Sequence, residues 1–381
     1  MIPAPRFVDA LSRHGFGLYA GVPCSYLTPL IDYVIADPAL RYVGATNEGD
    51  AVAIGAGAEL GGRPAVAMFQ NSGLGNAISP LTSLTWTFRI PVLLVVTWRG
   101  EPGGTPDEPQ HDLMGAITPR LLDAMRIPWQ PFPTRSETVD DEVGDAARHL
   151  RNERTPFAFV MSKGSVAAVD TPTAVPVPPA GAKSRPLASW TSADRLDQDE
   201  ALSAIQAHVD PRRDIIIATT GYTGRALEAL ADRSNQLYMV GSMGCASSFG
   251  LGLALVQPTR RVIVIDGDGA ALMRLGALST IGHEAPPNLV HVLLDNGVHD
   301  STGSQPTTAS HIDLALVASA AGYQSVHRVA STAALGRYVA ERADGPRFVH
   351  VRTRPREHRS LPRPATTPTD VASRLRAWVA S

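Results

Sequence analysis

Short apolar runs alternate with helix-length segments along most of the chain. LRYVGA, PAVAMF and IPVLLVVTW are brief, rich in β-branched residues and without alternating polarity. Strands buried on both faces of a parallel sheet read this way. FVDALSRHG, YLTPLIDYVIA, AVAIGAGAEL and LTSLTWTF supply the helical partners. Such β-α alternation predicts a parallel sheet covered by helices on both faces.

The pattern breaks after TPFAFVMSKG. Residues 165–194, SVAAVDTPTAVPVPPAGAKSRPLASWTSAD, are rich in Pro, Ala, Thr and Ser and lack sustained periodicity. That composition suits an extended linker. Alternation resumes with DIIIATT, LYMVG, RVIVIDG, NLVHVLLDN and RFVHVRT. The expected architecture is α/β: two doubly wound parallel-sheet domains, residues 1–164 and 195–381, joined by a linker, residues 165–194. The two halves show no strong residue-by-residue repeat.

Length and composition narrow the class. The 381 residues suffice for two domains with full cores. With 44% hydrophobic and 18% charged residues the chain has the make-up of a soluble globular protein. A net charge of −2 gives no reason to expect nucleic acid or a membrane surface as partner. Basic residues near the end, in RTRPREHRSLPRP, read as a solvated tail. Only Cys24 and Cys245 are present, with no zinc-like Cys/His spacing, so neither a disulfide framework nor structural zinc is expected. A reducing cytoplasm is the expected location. Arg6 and Asp9 lie inside the first helical pattern, which is not that of a signal peptide. No segment offers the roughly 18 uninterrupted apolar residues of a membrane span.

Three stretches carry candidate chemistry. In ATNEGDAVAIGAGAEL a strand hands over to a helix at Asn47-Glu48. Asn47 can accept backbone N–H bonds there, and Glu48 complements the helix dipole. In RVIVIDGDGAALMRLG a buried strand runs into Gly267-Asp268-Gly269-Ala270 and then a helix. Glycines let the backbone approach an anion, and the helix N–H groups can bind it. Asp268 beside an anion requires a cation such as Mg²⁺ between them. In NLVHVLLDNGVHDSTG the next strand ends at Asp295-Asn296-Gly297, where an asparagine oxygen and a turn carbonyl are hard ligands. Gly-Asp-Gly alone serves many tight turns; followed by 26 residues (270–295) and then Asn296 it is far more specific.

That pairing resembles the signature of the thiamine diphosphate enzymes. The resemblance implies that Asp268, the Asn296 side chain and the Val298 carbonyl hold Mg²⁺ against the diphosphate, which takes backbone N–H bonds from Gly269 and Ala270. Asp295 stands where many members have a first asparagine. Met243, 25 positions before Asp268, would support the bent cofactor, the Gly241 carbonyl would accept from its amino group, and Thr220 and Gly221 would add diphosphate contacts. Glu48 would bond N1′ of the aminopyrimidine from a largely apolar pocket. Members of the family build such sites at subunit interfaces, so a homodimer or larger homo-oligomer is implied.

Pyruvate-type decarboxylases usually carry a third domain where this chain has only a linker. The two-domain plan, with GVPCSYLTPLI, GEPGGTPDEPQHDLMG and LDNGVHDSTGSQPT, resembles the phosphonopyruvate decarboxylases, and the sulfopyruvate decarboxylases beside them. The implied reaction takes 3-phosphonopyruvate to phosphonoacetaldehyde and CO₂ through a thiamine diphosphate ylide and an enamine, in phosphonate natural-product or antibiotic biosynthesis. The implied partner is a small 2-oxo acid carrying a phosphonate. Ser25 and His111 are candidate catalytic groups, and Ser25, Asn71, Ser72, Arg99 and His111 candidate substrate-binding groups. Arg99 is the first cation to consider for the phosphonate, because a guanidinium matches its geometry; Arg274 is a second. Each has an ordinary alternative: Ser25 as cap of a helix from Tyr26, Asn71 in a turn, His111 on an exposed loop, Arg99 in a salt bridge. A sulfopyruvate decarboxylase and a carboligase are the competing activities. A non-catalytic scaffold would need neither Glu48 nor Asn296.

Overall fold

The computed structural model describes residues 1–168, 195–356 and 361–381. They form two units that divide within residues 169–194, each built on one parallel six-stranded sheet. In the first unit the strands are β1 (Leu18–Gly21), β2 (Arg41–Gly44), β3 (Ala65–Gln70), β4 (Leu93–Thr97), β5 (Trp129–Pro131) and β6 (Phe157–Met161). They lie in the order β2-β1-β3-β4-β6-β5. β3, β4 and β6 are buried along almost their whole length, hence their unbroken apolar sequences. The edge strand β5 is short and part-exposed, and offers no such run.

The second unit holds β7 (Ile215–Ala218), β8 (Gln236–Tyr238), β9 (Val262–Gly267), β10 (Leu289–Asp295), β13 (Ser325–Val329) and β14 (Arg347–Arg352). Between β10 and β13 comes a small antiparallel pair, β11 (Val298–His299) with β12 (Gln305–Pro306). The sheet order is β8-β7-β9-β10-β14-β13. Reading β7 for β1, β8 for β2 and so on along the chain, the wiring of the two sheets is the same. Equivalent strand ends therefore meet at each carboxyl edge, where open α/β sheets bind ligands.

Helix Glu48–Leu60 is buried almost all round. Its Ala and Gly residues let it lie close to its neighbours; a Cβ on Gly55 would come within 3.2 Å of Val92. LTSLTWTF ends a longer helical run formed by Asn71–Gly73, Leu74–Pro80, Leu81–Thr85 and Trp86–Phe88. Pro80 has no N–H to donate, and the wider π-helical turn at Leu81–Thr85 follows it directly. The helix expected from Tyr26 begins at Thr28, with a proline in its first turn. Ser25 therefore caps nothing; it lies in a turn closed by Leu27 N–H to Cys24 O at 2.8 Å.

Residues 165–168 belong to the first unit and not to a linker, since Val166 forms a parallel bridge with Ile2. The rest of the expected linker lies outside the described residues. Both cysteines are buried and neither forms a disulfide. No described helix is long and apolar enough to cross a membrane.

Candidate active site

At the end of β9, Asp268 opens the helix Asp268–Met273. It is 3% exposed. Burial holds its carboxyl above the ordinary carboxylate range; a hydrogen bond from Thr307 opposes this and the charge of Asp295 adds to it. Thr307 Oγ1 donates to Asp268 Oδ2, and Thr307 N–H reaches Gly297 O at 2.9 Å. The β11–β12 pair is thereby folded back onto the Gly-Asp-Gly turn.

Asn296 leaves the end of β10. Its Oδ1 accepts from Val298 N–H at 3.1 Å, and its Nδ2 donates to Asp300 Oδ2 at 2.7 Å. Gly297 turns the chain with φ 77°, a region that favours glycine. Asp268, Asn296 and Val298 line one solvent-open cleft with Thr220, Gly221 and Met243. Gly221, at φ 95° and ψ −149°, precedes the helix Tyr222–Leu230, whose first residues also line the cleft. Thr219 Oγ1 is buried in the same wall with no hydrogen-bond partner among the described residues.

Met243 sits on a strained turn between Ser242 at φ 52° and Gly244 at φ 89°. Only glycine fits at 244, where a Cβ would meet Arg274 Cγ at 2.5 Å and Ala270 O at 2.9 Å. Such strain clusters at functional sites. Met243 is half-buried and lines the cleft. Arg274 packs its aliphatic stem beneath this turn.

In the first unit Asn47 caps the helix as expected, its Oδ1 accepting from Gly49 N–H at 2.8 Å. The half-buried Glu48 side chain lies against Gly73. A Cβ there would stand 2.3 Å from Glu48 Cγ, 2.4 Å from Cδ and 2.5 Å from Oε1. Asn76 Nδ2 donates to Glu48 Oε2 at 2.8 Å, so one side of the carboxylate is polar, unlike the largely apolar pocket expected. Beside it the turn is open: a Cβ on Gly75 would meet nothing within 4 Å.

Two expected substrate ligands are committed elsewhere. Asn71 is fully buried; its Oδ1 accepts from Arg99 N–H at 3.2 Å, and its Nδ2 donates to Arg99 O and to Thr118 Oγ1, each at 2.9 Å. It clips the end of β3 to the segment after β4. The Arg99 guanidinium makes a two-bond ion pair with Asp107 and lies over the Tyr26 ring at 5.0 Å. Asp107 also accepts from Glu108 N–H at 2.8 Å and Gly100 N–H at 3.2 Å. The Arg99 hydrogen bonds, aided by those amides, hold the Asp107 carboxyl well below the usual range. The cation expected to meet the phosphonate is thus already neutralised within the chain.

The other candidates stay available. Ser25 and Ser72 are exposed, Ser72 Oγ accepting from Gln70 Nε2 at 2.7 Å. His111 is buried instead of lying on an exposed loop, and its Nδ1 has no hydrogen-bond partner among the described residues.

Models of the thiamine pyrophosphate enzymes match both units, the N-terminal TPP binding domain over residues 4–116 and the C-terminal TPP binding domain over residues 220–351. The chain belongs to the thiamine pyrophosphate enzymes. Over its whole length it is 46% identical to a phosphonopyruvate decarboxylase of Streptomyces viridochromogenes, covering 95% of that protein. That places it among the decarboxylases of the family. A sulfopyruvate decarboxylase of Methanosarcina acetivorans is 32% identical over 86% of this chain and 85% of its own. The solved structure of the thiamine diphosphate-dependent 4-hydroxybenzoylformate decarboxylase of Rhodococcus jostii RHA1 matches with a TM-score of 0.70, covering 93% of this chain and 99% of that one at 15% identity. This last likeness is one of fold.

The residues present fit the family's cofactor. Among the described residues no three His, Cys, Asp or Glu side chains form a metal cage. One carboxylate, one amide oxygen and one carbonyl line that cleft; with the oxygens of a diphosphate they would suit a hard divalent cation. The unpartnered Thr219 hydroxyl and the helix start after Gly221 are the complementary donors. Thr219, Asp300, Thr307, Gly73 and Asn76 escape the sequence reading. For Thr219 a signal exists, since it adjoins Thr220 at a strand end. Thr307 lies 39 residues from Asp268 in a segment without periodicity, where nothing local marks it.

Proposed function

We propose that this enzyme decarboxylates 3-phosphonopyruvate to phosphonoacetaldehyde and CO₂, with thiamine diphosphate and Mg²⁺. The observation that carries the substrate is the full-length likeness to a phosphonopyruvate decarboxylase, clearly greater than that to the sulfopyruvate enzyme. Asp268, the Asn296 amide oxygen and the Val298 carbonyl hold the Mg²⁺. The N–H groups of Gly269 and Ala270, with Thr220 and Gly221, take the diphosphate, and the Thr219 hydroxyl gains its missing partner there. Met243 supports the cofactor from its strained turn, and the Gly241 carbonyl accepts from the amino group. When bound, the cofactor would supply a ring carbon that is nucleophilic once deprotonated and a cationic ring able to accept the electron pair released with CO₂.

Glu48 shares a proton with N1′ of the aminopyrimidine. His111, with its unspent Nδ1, is the group we assign to bind the substrate or donate a proton to it, with Ser25 and Ser72 as exposed hydroxyls for its anionic groups. Asn71 and Arg99 act indirectly, by holding the segment after β4. We further propose a homodimer or larger assembly in the cytoplasm, with active sites at subunit interfaces. The family likeness supports that assembly, since its members build such sites between subunits. Loss of CO₂ would drive an unfavourable preceding C–P bond formation, as phosphonate natural-product synthesis requires.

The test is kcat/KM for phosphonopyruvate, sulfopyruvate and pyruvate, with the phosphorus-containing product followed by NMR. We expect phosphonopyruvate to be preferred by about tenfold or more, a difference of ~1.4 kcal/mol, and phosphonoacetaldehyde to form. Preference for sulfopyruvate would move the substrate while keeping the role of Glu48. Carbon–carbon bond formation with an added aldehyde would make the enzyme a carboligase.

A further inference from the structure

We propose that Asn76 is a positioning residue for Glu48, fixing which oxygen of that carboxylate remains available to the cofactor. The inference rests on the proposed role of Glu48 and goes one step past it.

The Glu48 carboxylate is fixed at two points. One is steric: the backbone of Gly73 leaves only enough room for the side chain to pass over it. The other is the amide of Asn76, one helical turn further on, donating to Oε2 at 2.8 Å. Oε1 lies on the Gly73 side and, among the described residues, takes no hydrogen bond of this kind. A glutamate side chain has three rotatable bonds and loses considerable freedom when ordered. A proton-sharing bond to N1′ requires that freedom to be removed beforehand. A neutral donor facing an ionised carboxylate forms a charge-assisted bond, stronger than one between neutral groups. Within its own chain Asn76 is exposed. The arrangement fits a side chain whose task is to orient its neighbour.

Asn76→Ala and Asn76→Asp separate this from a structural role. Alanine removes the donor; aspartate keeps the size but sets a second carboxylate against Glu48. We expect Asn76→Ala to lower kcat by about tenfold, the equivalent of losing one hydrogen bond to a charged group. KM for the substrate should stay within about twofold, and thiamine diphosphate affinity, read by tryptophan fluorescence quenching, should fall. Asn76→Asp should lie below Asn76→Ala in both readouts, because like charges repel. In a Glu48→Gln background the two variants should bind the cofactor equally well. Melting temperatures should stay near wild type, since neither substitution removes a core contact within the chain.

Asn76→Asp behaving like wild type while Asn76→Ala loses activity would mean the side chain only fills space, and would overturn the proposal. So would wild-type turnover and cofactor affinity in both variants; if Glu48→Gln were then inactive, the role of Glu48 would stand without that of Asn76. A fully active Glu48→Gln would bring down both.

Discussion

Gly73→Ala sets backbone preference against side-chain geometry. Gly73 has φ −76° and ψ −9°, values open to any residue. On backbone grounds alanine there should stabilise the protein by about 0.4–1 kcal/mol, by restricting the unfolded chain. The structure predicts that this gain is masked. The new Cβ would stand 2.3 Å from Glu48 Cγ and 2.4 Å from Cδ, more than an ångström inside the ~3.5–4.0 Å of ordinary carbon contact. The obstacle is the end of a flexible side chain, so the least costly escape is for Glu48 to swing aside. Its bond from Asn76 would then break. A displacement of roughly 1 Å in a catalytic group costs on the order of 100-fold in rate, about 2.7 kcal/mol of barrier. We therefore expect kcat to fall about 100-fold with little change in melting temperature. Removing the obstacle should release the hidden gain: in a Glu48→Ala background, Gly73→Ala should raise the melting temperature by about 1–4 °C, at ~2–4 °C per kcal/mol for a unit of this size. Steady-state kinetics on the single variant and thermal melts on all four proteins of the cycle suffice. Wild-type kcat in Gly73→Ala, or the same melting shift in both backgrounds, would refute the reasoning.

Two further expectations concern the buried carboxylates. Burial raises the Asp268 carboxyl above its ordinary range, so in metal-free protein its charge opposes folding at neutral pH, and that penalty fades as pH falls through the raised value. Metal-free Asp268→Asn should accordingly melt at or above wild type near neutral pH, by a margin that shrinks toward acid, while Mg²⁺-dependent cofactor affinity drops by about 100-fold; a lower melting temperature at neutral pH would contradict this. The Arg99 bonds hold the Asp107 carboxyl low, so its stabilisation is complete above the unfolded carboxylate value of ~3.9 and is lost as pH falls through the depressed one. Asp107→Asn should lower the melting temperature by several degrees at neutral pH and speed proteolysis within residues 100–111, with the melting difference narrowing in acid; equal melting at neutral pH would count against the clamp.

The legible parts of the site are those whose chemistry is local. Asp268 and Asn296 each sit at a strand end beside a turn glycine, and Glu48 at a capped helix start, so a few neighbouring residues announce them. Burial likewise shows in the sequence, as the apolar runs of β3, β4, β9 and β10. What is hidden depends on partners brought together by the fold. Arg99 reads as a free cation until Asp107, eight residues away in a Gly- and Pro-rich loop, is seen to hold it. Asn71 looks like a turn residue at a strand end, yet is enclosed by Arg99 and Thr118. Gly73 and Asn76 reach Glu48 only because the helical run after β3 lies beside the helix that Glu48 opens. The shared wiring of the two sheets is hidden for a related reason. Topology follows the order of buried strands, not their residues, and the edge strands β5 and β13 are too polar to mark the pattern.

The most direct test of the whole account is CO₂ release from phosphonopyruvate by protein stripped of cofactor and metal, with thiamine diphosphate and Mg²⁺ returned singly and together. Release is expected only when both are present. Release at the same rate without them, or none with both, would contradict it.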